Sequence, residues 1–99
     1  MMGLDDIARL VTNDGGTQKN IVSLLQIIGK RKTTLEQLLD ATDFNERYLR
    51  FLITKLRSIR LLMGEKINNH YFYYLSYEGF TTYLKTKYSD AIYNLVKRT

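Results

Sequence analysis

Residues 34–62 read TLEQLLDATDFNERYLRFLITKLRSIRLL. Thr34 and Gln37 stand three apart, the spacing of a capping box, so a helix opens at 34. Leu35, Leu38, Leu39 and Ala41 give it a buried face, and it stops near Ala41 or Thr42. Thr42-Asp43-Phe44 reads as a tight turn with Phe44 pinned inward. Asn45 is a strong N-cap candidate, and Glu46 suits the positive end of the next helix dipole. That next helix spans about 46–60. Leu49, Leu52, Ile53, Leu56 and Ile59 form its apolar stripe. Arg47, Arg50, Thr54, Lys55 and Arg57 fall on the rest of its surface.

Downstream, residues 61–66 and 71–75 are extended, the second aromatic-rich and strand-prone. Between them Ile67-Asn68-Asn69-His70 forms a hairpin tip, and Asn68-Asn69 suits a type I′ turn because Asn tolerates positive φ. Ser76 caps a last helix, in which Phe80, Leu84, Tyr88, Ala91, Ile92 and Leu95 recur at threes and fours. Ser89-Asp90 is a second start signal, so one long helix or two shorter ones fit the pattern. Upstream, Thr17 caps a helix over about 18–28 with a stripe of Ile21, Leu24, Leu25 and Ile28. Gly29 is placed to end it in a left-handed conformation. Residues 30–33 are a short polar connection. Leu4, Ile7, Ala8 and Val11 have helical spacing, and residues 12–16 are the one clear linker. The expected division is an N-terminal arm and linker at 1–16, a body at 17–84 and a C-terminal helical extension at 85–99.

The chain has 99 residues, one domain by length. It is 44% hydrophobic and 25% charged, which excludes wholesale disorder. It has no Cys, which excludes disulfide scaffolds, zinc-thiolate sites and thiol catalysis. No apolar run approaches the ~18 residues of a membrane helix. No charged segment precedes an apolar one in the manner of a secretory signal, so the cytoplasm is the expected compartment. The net charge is +5, with an isoelectric point near 9.5. Residues 1–16 carry Asp5, Asp6 and Asp14 against Arg9, a balance of −2, which leaves +7 on residues 17–99. Within 45–66 stand Arg47, Arg50, Lys55, Arg57, Arg60 and Lys66 against Glu46 and Glu65. A small basic chain points to a polyanion partner.

The order is helix, short helix, tight turn, longer basic helix, hairpin, helix. The turn between the second and third of these is the helix-turn-helix arrangement, and a hairpin directly after it makes a winged helix. The expected class is α+β, mainly α, with a three-helix core, a β-hairpin wing and a C-terminal dimerisation helix. Residues 17–84 resemble the winged helix-turn-helix of the MarR and PadR transcriptional regulators. The resemblance lies in the 34–62 stretch with its anchors Leu49, Ile53 and Leu56. It extends to Leu61-Leu62 entering the hairpin and to Leu75-Ser76-Tyr77-Glu78-Gly79 leaving it. Arg60 departs from the pattern, since many members have Gly there. Small size and richness in Ile, Lys, Tyr and Asn also resemble compact winged-helix proteins of archaea and their viruses, for which the compartment would be the host cytoplasm.

The resemblance implies that the 46–60 helix enters the major groove, with Arg47 and Arg50 at base edges. A solvated Arg or a phosphate contact is the simpler alternative. Tyr48 reaches phosphate or base, or packs at the helix start. Thr54, Lys55 and Arg57 are placed for phosphate. Phe51 is expected partly buried against a neighbouring helix, with a thymine methyl or a second subunit as alternatives. In Lys30-Arg31-Lys32, Lys32 is the candidate phosphate contact, with a solvated loop as the equal alternative. Lys66, Asn68 and Asn69 form the wing tip, on the minor groove or flanking phosphates. His70, the one His, reads as a surface residue.

Tyr71, Phe72, Tyr73 and Tyr74 alternate between two faces, one of which completes the core with Leu75. Leu84, Tyr88, Ile92 and Leu95 are the dimerisation candidates, because apolar surface left over on a monomer is a liability. No glycine-rich phosphate loop and no metal-ligand cluster is present, so neither an enzyme nor a cofactor or metal is expected. Glu36 and Asp40 read as an acidic solvent face. The expectation is a homodimeric, sequence-specific double-stranded DNA-binding regulator. The alternatives are a winged-helix protein-interaction module and a sequence-neutral architectural DNA-binding protein.

Overall fold

A computed structural model describes residues 3–97. Its elements in chain order are α1 (Leu4–Val11), α2 (Gly15–Ile28), β1 (Thr33–Thr34), α3 (Leu35–Ala41), α4 (Glu46–Ser58), β2 (Leu62–Ile67), β3 (His70–Leu75) and α5 (Tyr77–Lys97). The class is α+β and mainly helical, with one antiparallel sheet in the order β1-β3-β2. No helix among the described residues is long and apolar enough to cross a membrane.

The caps fix the register of the helices. Thr34 Oγ1 accepts from Gln37 N at 3.2 Å, and Gln37 Oε1 accepts from Thr34 N at 3.0 Å, closing the capping box. Asn45 Oδ1 accepts from Tyr48 N at 2.8 Å. Three residues that read as loop thus separate α3 from the cap of α4. Leu38, Leu49, Leu52 and Leu56 are fully buried and meet Ile21, Leu24 and Leu25 of α2 in one core. Each such leucine contributes on the order of 2–5 kcal/mol by the cost of truncating it to Ala. Ala41, expected on the buried face of α3, is exposed because the helix ends there.

Three expectations upstream are corrected. The cap of α2 is Asp14, not Thr17. Asp14 Oδ2 accepts from both Thr17 N (2.8 Å) and Thr17 Oγ1 (2.7 Å), so Gly15 and Gly16 become the first helical turn. These bonds to Thr17, the side-chain one foremost, hold the Asp14 carboxyl below its ordinary pKa. Residues 4–11 are not a separate arm. Ala8 is fully buried, and Ile7, Leu10 and Val11 pack on the same core. Gly29 is right-handed, with φ −62°. The chain tightens past it through i→i−3 bonds, Lys30 N to Ile27 O and Arg31 N to Ile28 O, and so needs no left-handed cap.

The left-handed residue stands instead after α4, which ends at Ser58. Arg60 has φ 58°. Its neighbours close the junction: Ser76 N donates to Leu61 O at 2.7 Å, tying the hairpin base together. A Cβ at Gly79 would overlap the Arg60 carbonyl, so α5 crosses this turn in contact with it. The hairpin turn is left-handed at both Asn68 (φ 50°) and Asn69 (φ 69°), as a two-residue type I′ turn requires. Ile67 and His70 close it as a pair. Residues 33–34 add a third strand, with Thr33 opposite Tyr73.

Ser76 Oγ accepts from Gly79 N at 3.0 Å and caps α5. The helix runs unbroken through Ser89-Asp90. Phe80 is buried and Tyr83 and Leu84 pack on the core. From 85 onward every described residue is exposed, to the end of the described helix. Residues 98–99 of the expected extension, and 1–2 of the expected arm, lie outside the described residues. The radius of gyration is 15.3 Å against about 13 Å for a compact domain of this size.

Two outcomes follow. Arg60→Gly raises stability in urea unfolding by about 0.5–1 kcal/mol by relieving the left-handed strain, whereas Gly79→Ala lowers it by about 1–3 kcal/mol through overlap. Asp14 has a lowered folded pKa, so its contribution is present at neutral pH and is lost as pH falls through that value. Asp14→Asn keeps the cap but flattens this acid limb in a pH series of melting temperatures.

Candidate functional site

α4 is divided lengthwise. Leu49, Leu52, Ile53 and Leu56 are buried, and at 100° per residue Arg47, Phe51 and Thr54 lie along the opposite line, all exposed. Arg50 and Arg57 occupy the flank toward the hairpin. There they line a cleft of about 460 Å³ with the α3 start (Thr34, Leu35, Glu36) and with Asn69, His70, Tyr71 and Tyr73. Tyr48 and Lys55 occupy the other flank.

The guanidinium groups differ in freedom. Arg47 has no partner among the described residues. Arg50 Nε pairs with Glu46 Oε2 at 3.2 Å, an exposed i,i+4 pair of small energetic weight. Arg57 Nη1 donates to Tyr71 Oη at 3.3 Å, which aims it along the cleft. Thr54 Oγ1 donates back to Arg50 O at 2.9 Å. Asn68 and Asn69 are exposed at the tip, and Lys66 is exposed on the same sheet face as its pairing partner Tyr71.

Two expected site residues are placed elsewhere. Tyr48 is half-buried. Its hydroxyl accepts from Asn20 Nδ2 at 2.8 Å, and its ring meets Phe44 edge-on at 5.2 Å. It therefore anchors α4 to α2. Lys32 pairs with Glu65 and lies 5.3 Å from the Tyr74 ring centroid. Glu65 and Tyr74 alternate with Gly64 and Tyr73, so Lys32 stands on the sheet face away from Tyr71. Phe51 is 46% exposed and not tucked against a neighbouring helix. It stacks on Tyr48 at 6.1 Å with Lys55 Nζ 5.3 Å from its centroid. Of the α5 residues, Leu84 is packed on its own core, whereas Tyr88, Ile92 and Leu95 are exposed.

One contact beside the cleft escaped the sequence reading. Tyr71 lies across Gly64, where any Cβ would overlap its ring. Gly64 thus lets the ring lie flat and present its hydroxyl to Arg57. An isolated Gly inside a strand is a signal of such a close approach.

Among the described residues no three His, Asp or Glu side chains gather to hold a metal. What the arrangement offers is a row of cationic donors on a rigid helix beside a polar hairpin tip, suited to an extended anion. No protein-family model, curated protein or solved structure matches the chain.

The Gly64–Tyr71 contact is testable by a double-mutant cycle. Gly64→Ala lowers unfolding stability by about 1–3 kcal/mol, and combining it with Tyr71→Ala recovers part of the loss. Strict additivity of the two changes would show that the ring does not lie there.

Proposed function

We propose that the chain is a winged-helix protein that binds double-stranded DNA as a homodimer and acts as a transcriptional regulator. In this reading α4 enters the major groove and the β2–β3 hairpin lies on flanking DNA. The observation that carries it is the lengthwise division of α4, with Arg47 displayed on its outward line and Arg50 and Arg57 beside the hairpin tip. Arg47, in the first turn and without a partner among the described residues, is the base-reading residue, and Arg pairs bidentately with guanine. Arg50, Arg57 and Lys66 take phosphates and fix position. Tyr48 supports α4 through Asn20 and Phe44. Lys32 takes no part. Tyr88, Ile92 and Leu95 supply the apolar surface for a second copy.

A second reading, a protein-interaction module, rests on Phe51, an exposed aromatic at the centre of the displayed face. The two readings separate by salt. DNA binding through about six phosphates per dimer gives a log–log salt slope near −5.

Fluorescence anisotropy against a duplex library tests the proposal. It predicts that steep slope, enrichment of a two-fold-symmetric site, and at least a ~10-fold loss of affinity in Arg47→Ala/Arg50→Ala. Salt-sensitive binding without enrichment would indicate an architectural protein. No binding at low salt would overturn the DNA reading in favour of a partner at Phe51.

A further inference from the structure

The outward line of α4 has an apolar centre. Arg47, Phe51, Thr54 and Ser58 follow one another along it at 100° per residue, all exposed. Thr54 Oγ1 donates back to Arg50 O at 2.9 Å, and Ser58 Oγ donates to Lys55 O at 2.6 Å. Both hydroxyl protons are thus turned onto the helix itself. Between these residues and Arg47 stands the Phe51 ring, 46% exposed. The ring takes no part in the core. Its neighbour Tyr48 is already held by Asn20 and Phe44, so the anchoring of α4 does not account for Phe51 either.

The ring is nonetheless held in place. Tyr48, three residues before it, stacks on it at 6.1 Å, and Lys55, four residues after it, sets Nζ 5.3 Å from its centroid. Tyr48 and Lys55 are both half-buried. A side chain fixed in this way loses little freedom when it meets a ligand.

We infer that Phe51 reads the 5-methyl group of a thymine in the major groove, and so is a specificity-determining residue of the duplex-binding face. The inference rests on the DNA reading given above and deepens it. Of the groups that base pairs present in the major groove, the thymine methyl is the apolar one, and the others are hydrogen-bond donors and acceptors. Against any of those, or against a phosphate, the ring would strip away water and return no hydrogen bond. Phe51 lies four residues beyond Arg47, about 6 Å along the helix. Phosphates along one strand follow at about 3.4 Å of duplex axis. For a helix lying along the groove, the thymine therefore falls about two base steps from the guanine taken by Arg47.

The test changes the DNA and leaves the protein as it is. In the duplex that a library selects, each thymine is replaced in turn by 2′-deoxyuridine, which keeps the base pair and removes only the methyl. Anisotropy titrations of the full chain are expected to show about a fourfold loss of affinity per methyl removed at one thymine position of the half-site, and little change at the others. Phe51→Ala is expected to keep the salt slope, to bind the parent duplex more weakly, and to be indifferent to that replacement. Arg47→Ala is expected to retain the methyl effect. Full affinity after every replacement, an undiminished methyl effect in Phe51→Ala, or binding with no preferred sequence would each overturn the inference and leave duplex binding standing. A chain that binds no duplex at low salt would overturn the DNA reading and this inference together, a result seen before any thymine is replaced.

Discussion

The close passage of the Arg60 carbonyl over Gly79 is the constraint on which the rest of the architecture hangs. Three elements meet there: the end of α4, the base of the hairpin and the first turn of α5. A left-handed residue must reverse the chain after Ile59, and here it is an arginine, at φ 58°. The backbone conformation is costly for a side-chain-bearing residue. It is held because Ile59, Leu61 and Leu62 on either side are buried and because Ser76 N satisfies Leu61 O. The angle of the hairpin to α4, and so the cleft holding Arg50 and Arg57, follows from that turn. The direction in which α5 leaves the body follows from it too.

The second determinant is the lengthwise partition of α4. Four buried side chains commit one face to the core, and the caps at Thr34 and Asn45 set where along the chain that commitment begins. The cationic face is then displayed without any choice left to surface side chains. Rigid support of this kind is what lets an exposed row of guanidinium groups act as a unit.

Much of this was legible in the sequence. Spacing at threes and fours, the capping box and the Asn68-Asn69 turn are local signals, and each corresponds to an element within a residue or two. Arg60 was legible only as a question, since the pattern asked for glycine. What local patterns do not carry is the destination of a side chain. Tyr48 sits in the first turn of α4 beside Arg47, yet Asn20, 28 positions away, draws its hydroxyl into the body. Lys32 belongs to a basic triplet, yet strand alternation and Glu65 turn it to the far sheet face. Residues 4–11 look like an arm because two glycines follow them. Asp14 absorbs those glycines into α2, and Ala8 is small enough to seal the core.

The central claim is that the exposed face of α4 and the hairpin tip form one duplex-binding surface. An amide-resolved NMR titration of the full chain with a short duplex at low salt tests it most directly. The account predicts that the largest shift changes fall in residues 46–57 and 66–71, with Phe72, Tyr74 and Lys32 on the outer sheet face unmoved. Changes centred on that outer face, or none at all, would contradict it.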